Sequence, residues 1–544
     1  MDSIQLLILI TTALFLMKFL KDSLGFLWLF QTKEYRFDRM ESHIKDHFFP
    51  IFSVFAAFFG TLIFLGAFFS ETAEFIFVFL VLLTGLLAPV YFLCSLIKTI
   101  FEILKRAFKR PKRTTKILLI LTVYIVLYSA FVFFISKKIS NSFTIVFSLD
   151  FFILFSFYLL LLNALIPIFL LFAIAIVTPI ANRKKRKIVR SARKKMLEMK
   201  KVKTIGITGS FGKTSTKEFL FAILSEKYKV VKTEGNNNTL MGVANTILNK
   251  VDDNFDFFIC EMGAYKIGEI EEISSIAEPF AGIITGINEQ HLDLFGSIEN
   301  TKRGKFELIQ SLPEDGFAVI NKNALEMKPE IYYKVKDVTS FSKDIAKNIE
   351  VHPEYAKFEY KDIPFKIQVL GGHYIKNILS AIVAAEKLGM SLREIQAAVS
   401  KIDMKSIYFM HKTQGPHGSV FIDDSYSANP DGVIAALGYM REAYPKKTRI
   451  LVFPGIIELG KDSEKIHKRL WNETDNICDL AYIMQKRNKE ISRNQKKCHF
   501  IFGKNFDRIK TDLEKRLNKD TVVLFESRAA GVVMKKILDN NKSK

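Results

Sequence analysis

The 544-residue sequence has only four cysteines, Cys94, Cys260, Cys478 and Cys498, and none are in C-x-x-C spacing. Neither a zinc site nor a disulfide framework is suggested. Acidic residues are also scarce. Asp and Glu number 56 against 78 Lys and Arg, a formal net charge of +22. Such a charge suits nucleic acid or a membrane surface. Its distribution favours the membrane. Residues 98–116 hold eight basic side chains against Glu102 alone, and residues 181–203 hold twelve against Glu198 alone. Both stretches abut apolar runs, as the cytoplasmic flanks of membrane helices do. Membrane lipid is therefore an expected partner, and nucleic acid is not.

Phenylalanine is abundant, with 51 residues, many of them in the first third of the chain. A bilayer-spanning helix needs roughly 20 mostly apolar residues. Five runs approach or meet this, at 4–20, 49–69, 75–97, 117–135 and 151–180. The first lacks the basic flank and cleavage site of a signal peptide, so it reads as a span. Basic residues in the intervening segments alternate: five, then none in 70–74, then eight, then Lys137 and Lys138, then twelve. That alternation predicts a multi-pass cell-membrane domain over 1–180 with its N-terminus outside. A basic linker, 181–203, follows, and everything after residue 180 is expected in the cytoplasm.

From Thr204 the pattern changes. Short apolar runs alternate with amphipathic stretches, the signature of α/β domains with a mainly parallel sheet. Strands are expected at 204–208, 230–232, 257–260, 281–285 and 317–320. Residues 204–216 read T-I-G-I-T-G-S-F-G-K-T-S-T, a strand, a glycine turn and a helix start. The turn Gly209, Ser210, Gly212 brings backbone N–H groups close to a polyphosphate. Lys213 adds charge, and Thr214, followed by Ser215, offers a hydroxyl to Mg²⁺. Ile207 stands where a P-loop has its first glycine, so the loop is a variant. Ligand groups collect at the C-terminal ends of such strands. Glu261 ends the apolar run F-F-I-C and suits Mg²⁺ coordination, and His291 follows another strand end as a second candidate ligand. Near the C-terminus, the run 420–422 ends on Asp423-Asp424, and further strands at 480–484, 499–502 and 522–525 alternate with helices in a Rossmann-like pattern.

These stretches resemble the Mur ligases, most of all the MurF type that adds D-alanyl-D-alanine. The matching motifs are T-G-S-F-G-K-T-S at 208–215, G-N-N-N at 235–238 and G-E-I at 268–270. They continue with N-E-Q-H-L-D-L-F-G-S at 288–297, Lys305, G-G-H-Y-I-K-N at 371–377 and D-D-S-Y-S-A-N-P at 423–430. E-L-G at 458–460 with Ser463 and His467 completes the set. The resemblance implies a central ATP-binding domain over 204–402 and a C-terminal α/β lid over 403–544. It implies ATP on Gly209 to Ser215 and two Mg²⁺ ions held by Thr214, Glu261, His291 and Lys305. Lys305 would carry a CO₂-derived carbamate, and Lys213, Lys305 and His291 would be catalytic. Asn377 would contact adenine, Asp424 the ribose, and Asn429 would shape the domain interface. The implied reaction is ATP-dependent amide formation. A carboxylate acceptor, a lipid-linked or UDP-linked muropeptide, is activated as an acyl phosphate and joined to D-alanyl-D-alanine or another amine.

Some positions depart from the family pattern. Tyr374 replaces an asparagine, Phe525-Glu526-Ser527-Arg528 replaces K-G-S-R, and Ser406-Ile407 replaces a G-R pair. Apolar runs and a basic linker also stand where the family carries a small domain that grips a UDP-sugar. That substitution favours an acceptor resident in the bilayer. Two other readings are a poly-γ-glutamate or folyl-polyglutamate ligase of the same superfamily, and a non-catalytic nucleotide-binding membrane scaffold.

Overall fold

The computed structural model describes residues 3–32, 70–104, 108, 110–142, 148–235, 237–288, 295–329, 332–402, 410–425, 428–456, 463–484, 497–503 and 505–542. The chain divides into two units, Met1–Lys185 and Arg186–Lys544.

The first unit is helical. Helices Ser3–Thr32, Ser70–Leu104, Thr115–Ser142 and Leu149–Glu198 each contain a stretch long and apolar enough to cross a membrane. The expected run 49–69 lies outside the described residues. Phe15, Leu27, Phe92, Tyr124 and Ile166 form an internal core, whereas Leu9, Leu16, Val126, Phe134 and Phe172 are exposed. A helix apolar on its outward face needs an apolar surround.

Two local expectations fail here. Residues 70–74, read as a loop, begin a helix. Their sequence, Ser-Glu-Thr-Ala-Glu, carries the hydroxyl and acidic residue types that signal a helix start. The supposed linker continues the last span as helix to Glu198. It is rich in Lys and Arg, good helix formers, and no Gly or Pro interrupts 181–198.

The second unit holds two six-stranded sheets. In the first, β1 (Lys203–Thr208), β2 (Val230–Lys232), β3 (Phe257–Glu261), β4 (Pro279–Ile284), β5 (Phe317–Asn321) and β6 (Asp337–Phe341) lie in the order β2-β3-β1-β4-β5-β6. All pairs are parallel. Ile205, Ile207 and Ile259 enter one core with Phe219 and Ile378, while Phe258 and Cys260 enter the other with Ile247 and Phe306. Burial on both faces explains why these strands read as unbroken apolar runs. A small antiparallel sheet follows, β7 (Ala346–Val351), β8 (Ala356–Tyr360) and β9 (Ile363–Ile367).

The second large sheet comprises β10 (His411–Gln414), β11 (Val420–Asp424), β12 (Thr448–Phe453), β13 (Leu480–Ile483), β14 (His499–Phe502) and β15 (Thr521–Glu526). Its order is β10-β11-β15-β12-β13-β14, with β10 the antiparallel edge. One of its faces, through Ile422, Val522 and Leu524, shares a core with Tyr374, Ile375 and Ile378 of helix Tyr374–Lys387. The other face buries Phe421 against Phe525.

Candidate active site

The site begins where β1 ends. Gly209 has φ +148° and Gly212 has φ +77°, the left-handed region in which a side chain is strained. Space forbids one as well. A Cβ on Gly209 would lie 2.1 Å from Thr285 Oγ1, and one on Gly212 would lie 2.5 Å from Asn377 Oδ1. The segment after β4 fixes the loop from outside. The Ser210 N–H donates to the Gly286 carbonyl at 2.8 Å, and the Asn288 N–H donates to Ser210 Oγ at 3.2 Å. The Thr285 hydroxyl donates to the Phe211 carbonyl and, at 3.2 Å, to that of Thr208.

Helix Lys213–Leu224 starts immediately after this turn, so its free N–H groups face the loop. Lys213 Nζ folds back to the Gly209 carbonyl at 2.6 Å. Burial lowers its pKa, and Glu261 opposes the shift. Thr214 and Ser215 occupy the first turn, half-buried.

Glu261, at the end of β3, is 1% exposed. Three side chains donate to its carboxylate: Thr214 Oγ1 at 3.1 and 3.2 Å, Asn238 Nδ2 at 3.0 Å and Lys217 Nζ at 3.1 Å. Lys217 is itself fully buried and also donates to the Gly235 carbonyl at 2.8 Å. Two oxygen donors, one hydroxyl and one carboxylate, beside a phosphate loop form the protein share of a Mg²⁺ site, since this ion takes few carboxylates plus phosphates and water. The residues present therefore fit the implied ion.

Lys305 projects from helix Ile298–Gln310 and is 3% exposed. Its Nζ lies 3.4 Å from the Ala264 carbonyl and 5.5 Å from the centre of the Phe295 ring. Burial pushes its pKa down to about 7, and the Lys213 charge adds to the shift. Lys305, Lys213, Asn238, Gly209 and Tyr265 line one pocket.

The remaining expected residues are less uniform in place. Asn377, 8% exposed, lies against Gly212 from helix Tyr374–Lys387. Asp424 ends β11, and burial raises its carboxyl pKa to about 6. Asn429 caps helix Pro430–Ala443, accepting from the Gly432 N–H at 3.0 Å. His291 and Ser406-Ile407 lie outside the described residues.

The motifs gave no notice of Lys217, and they marked Glu526 only as a departure from the family pattern. Lys217 sits four residues after Lys213 on the same helix, the one spacing that could have paired them. A further link also escaped notice: Asn288 Nδ2 donates to Asp431 Oδ2 at 2.9 Å, tying the segment after β4 to helix Pro430–Ala443.

Comparison with known proteins agrees with this geometry. Residues 207–385 match the Mur ligase middle domain, and residues 410–528 match the Mur ligase, glutamate ligase domain. The chain is 32% identical over 284 residues to the UDP-N-acetylmuramoyl-tripeptide–D-alanyl-D-alanine ligase of Bacillus subtilis, covering 49% of this chain and 59% of that protein. The Escherichia coli enzyme of the same name is 30% identical over 277 residues, covering 49% and 60%. The chain thus spans less than two thirds of these relatives' length. Among solved structures, MurF from Thermotoga maritima in complex with ADP aligns with a TM-score of 0.57 at 25% identity, covering 65% of this chain and 82% of that one. MurF from Acinetobacter baumannii aligns with a TM-score of 0.58 at 23% identity, covering 65% and 80%. With both family domains present in order, and with the loop 209–213 and a buried lysine lining one pocket, the chain belongs to the Mur ligase family.

Proposed function

We propose that the chain is a membrane-anchored, ATP-dependent ligase of the MurF type. It joins a muropeptide carboxylate, lipid-linked or UDP-linked, to D-alanyl-D-alanine in cell-wall precursor synthesis. The observation that carries this reading is the convergence of Lys213 and Lys305 on one pocket, whose Asn238 donates to Glu261 beside Thr214.

ATP lies along Gly209 to Ser215 in this reading, with adenosine toward Asn377 and Asp424. Lys213 leaves the Gly209 carbonyl for the phosphates. The acceptor carboxylate attacks the γ-phosphorus, the bond to ADP breaks, and an acyl phosphate forms. The amine then attacks the acyl carbon, and phosphate leaves as the amide closes. Mg²⁺ bound at Thr214 and Glu261 would neutralise charge building on the phosphate oxygens. Lys305 is suited to carbamylation: its neutral amine adds to CO₂ and releases a proton. The resulting anion, with His291, supplies ligands for a second Mg²⁺. Asn429, at the start of its helix, shapes the interface that closes over the nucleotide.

The four long apolar helices, with the apolar run 49–69 as a fifth span, and the alternating basic segments support a multi-pass protein with its N-terminus outside and the ligase domains cytoplasmic. The test is product mass spectrometry with purified full-length protein, ATP, Mg²⁺, muropeptide and D-alanyl-D-alanine. A product heavier by the dipeptide residue supports the reading. Stepwise addition of single glutamates points to the polyglutamate branch, and ATP binding without turnover to a scaffold. Both outcomes overturn it.

A further inference from the structure

The C-terminal sheet contains a carboxyl group that the proposed reaction does not use. Glu526 ends β15 and is fully buried, and neither of its carboxyl oxygens has a hydrogen-bond partner. Its register partner on the neighbouring parallel strand is Asp424. Register partners on adjacent strands point to the same side of a sheet. Here that side continues from Ile422 and Leu524, which pack toward helix Tyr374–Lys387. A fully buried carboxyl and a half-buried one thus stand side by side at the C-terminal edge of the sheet.

If both were ionised, two like charges would share a low-dielectric site, which costs far more than either alone. If one holds a proton, the same pair makes a short, charge-assisted O–H···O bond. Among the described residues around them, no buried cation pairs with either carboxyl. Asp423 on β11 adds negative charge. His411 on β10 is engaged with Asp423 at 3.5 Å and is largely exposed. Tyr374 faces the pair from its helix, and its hydroxyl accepts from the Met410 N–H at 3.0 Å, which leaves it one proton to donate, too few to satisfy two carboxylates. Burial raises the pKa of both acids, and each adds to or shares in the proton of the other.

We infer that Glu526 is a positioning residue that shares one proton with Asp424 and thereby holds the Asp424 carboxyl at the nucleotide edge of the C-terminal sheet. Glu526 and Tyr374 are also two of the positions where this sequence leaves the family pattern, and the fold brings them together around Asp424. The inference rests on the reading that Asp424 contacts the nucleotide. Loss of the shared proton at alkaline pH leaves two charges in contact and drives Asp424 from its place.

The experiment is a pH series of KM for ATP and kcat on full-length wild type, Glu526→Gln and Glu526→Ala. In wild type, KM for ATP is expected to rise on the order of tenfold from neutral to alkaline pH, the loss of about one charge-assisted hydrogen bond. Glu526→Gln, whose amide always donates, is expected to flatten that rise. Glu526→Ala should have a raised KM throughout. A Gln variant with the wild-type pH profile overturns the inference. So does a KM for ATP that depends on potassium or ammonium concentration, because a cation would then bridge the pair. Infrared spectroscopy decides without turnover: wild type at neutral pH should show a protonated-carboxyl band that Glu526→Gln lacks, and absence of that band in wild type overturns the shared proton. If Asp424→Asn leaves KM for ATP where it was, the nucleotide reading of Asp424 fails, while the infrared band still reports on Glu526.

Discussion

Glu261 and Glu526 are the same residue type at the same kind of place, the C-terminal end of a buried parallel strand. Their exposures are 1% and 0%. Glu261 receives Thr214, Asn238 and Lys217, while Glu526 receives no donor and lies against another acid. Burying a charge is tolerable only when partners replace its water. The central sheet therefore holds a carboxylate supplied with donors, and the C-terminal sheet holds a carboxyl that keeps a proton under the inference above.

The comparison breaks most completely if Glu261 is dispensable. Glu261→Ala and Lys213→Ala should each lower acceptor-dependent phosphate release by at least about 10²-fold, the scale of losing one preorganised electrostatic contact. A coupled phosphate assay measures this. Lys217→Met removes the cation beneath Glu261 and leaves a buried charge short of a partner, a change that costs about 3–5 kcal/mol. Unfolding of the detergent-solubilised protein should show that loss, and the Mg²⁺ concentration for half-maximal rate should rise.

Much of the first half of this contrast was legible in the sequence. Gly209, Gly212, Lys213, Thr214 and Glu261 are chemical types whose spacing alone specifies a phosphate loop and a carboxylate at a strand end. Chain order is enough there, because strand, turn and helix are contiguous. Lys217 was not legible: a lysine on an amphipathic helix reads as solvated, and only the sheet reveals that it faces Glu261. Glu526 was invisible as a partner because 102 residues separate it from Asp424, and strand order, not sequence order, makes them neighbours. The antiparallel sheet β7 to β9 also went unread, since its exposed lysines and glutamates break the apolar pattern. In the helical first unit, length and hydropathy located the four described apolar helices, but helix continuity through 181–198 depends on helix propensity rather than hydropathy.

Next in size is a stability effect that sharpens the contrast. A carboxyl whose pKa is raised on folding keeps a proton that the unfolded chain has already released. Stability then falls as pH rises from the ordinary carboxylate range through about 6 for Asp424, and further for Glu526. Glu526→Gln should therefore raise the melting temperature at neutral and alkaline pH, and the gain should vanish in acid. The smallest effect concerns Lys305. With its pKa near 7, carbamylation should weaken as pH falls through that value and the amine protonates. ¹³C-labelled bicarbonate should give a carbamate signal in wild type that Lys305→Arg lacks.

The most direct test is phosphate release by the full-length protein, measured beside product mass with ATP, Mg²⁺, muropeptide and D-alanyl-D-alanine. Phosphate and a dipeptide-extended product should appear in equal amounts, and both should disappear in Lys213→Ala and in Glu261→Ala. Phosphate release that survives in both variants would contradict the assignment of this cleft as the active site.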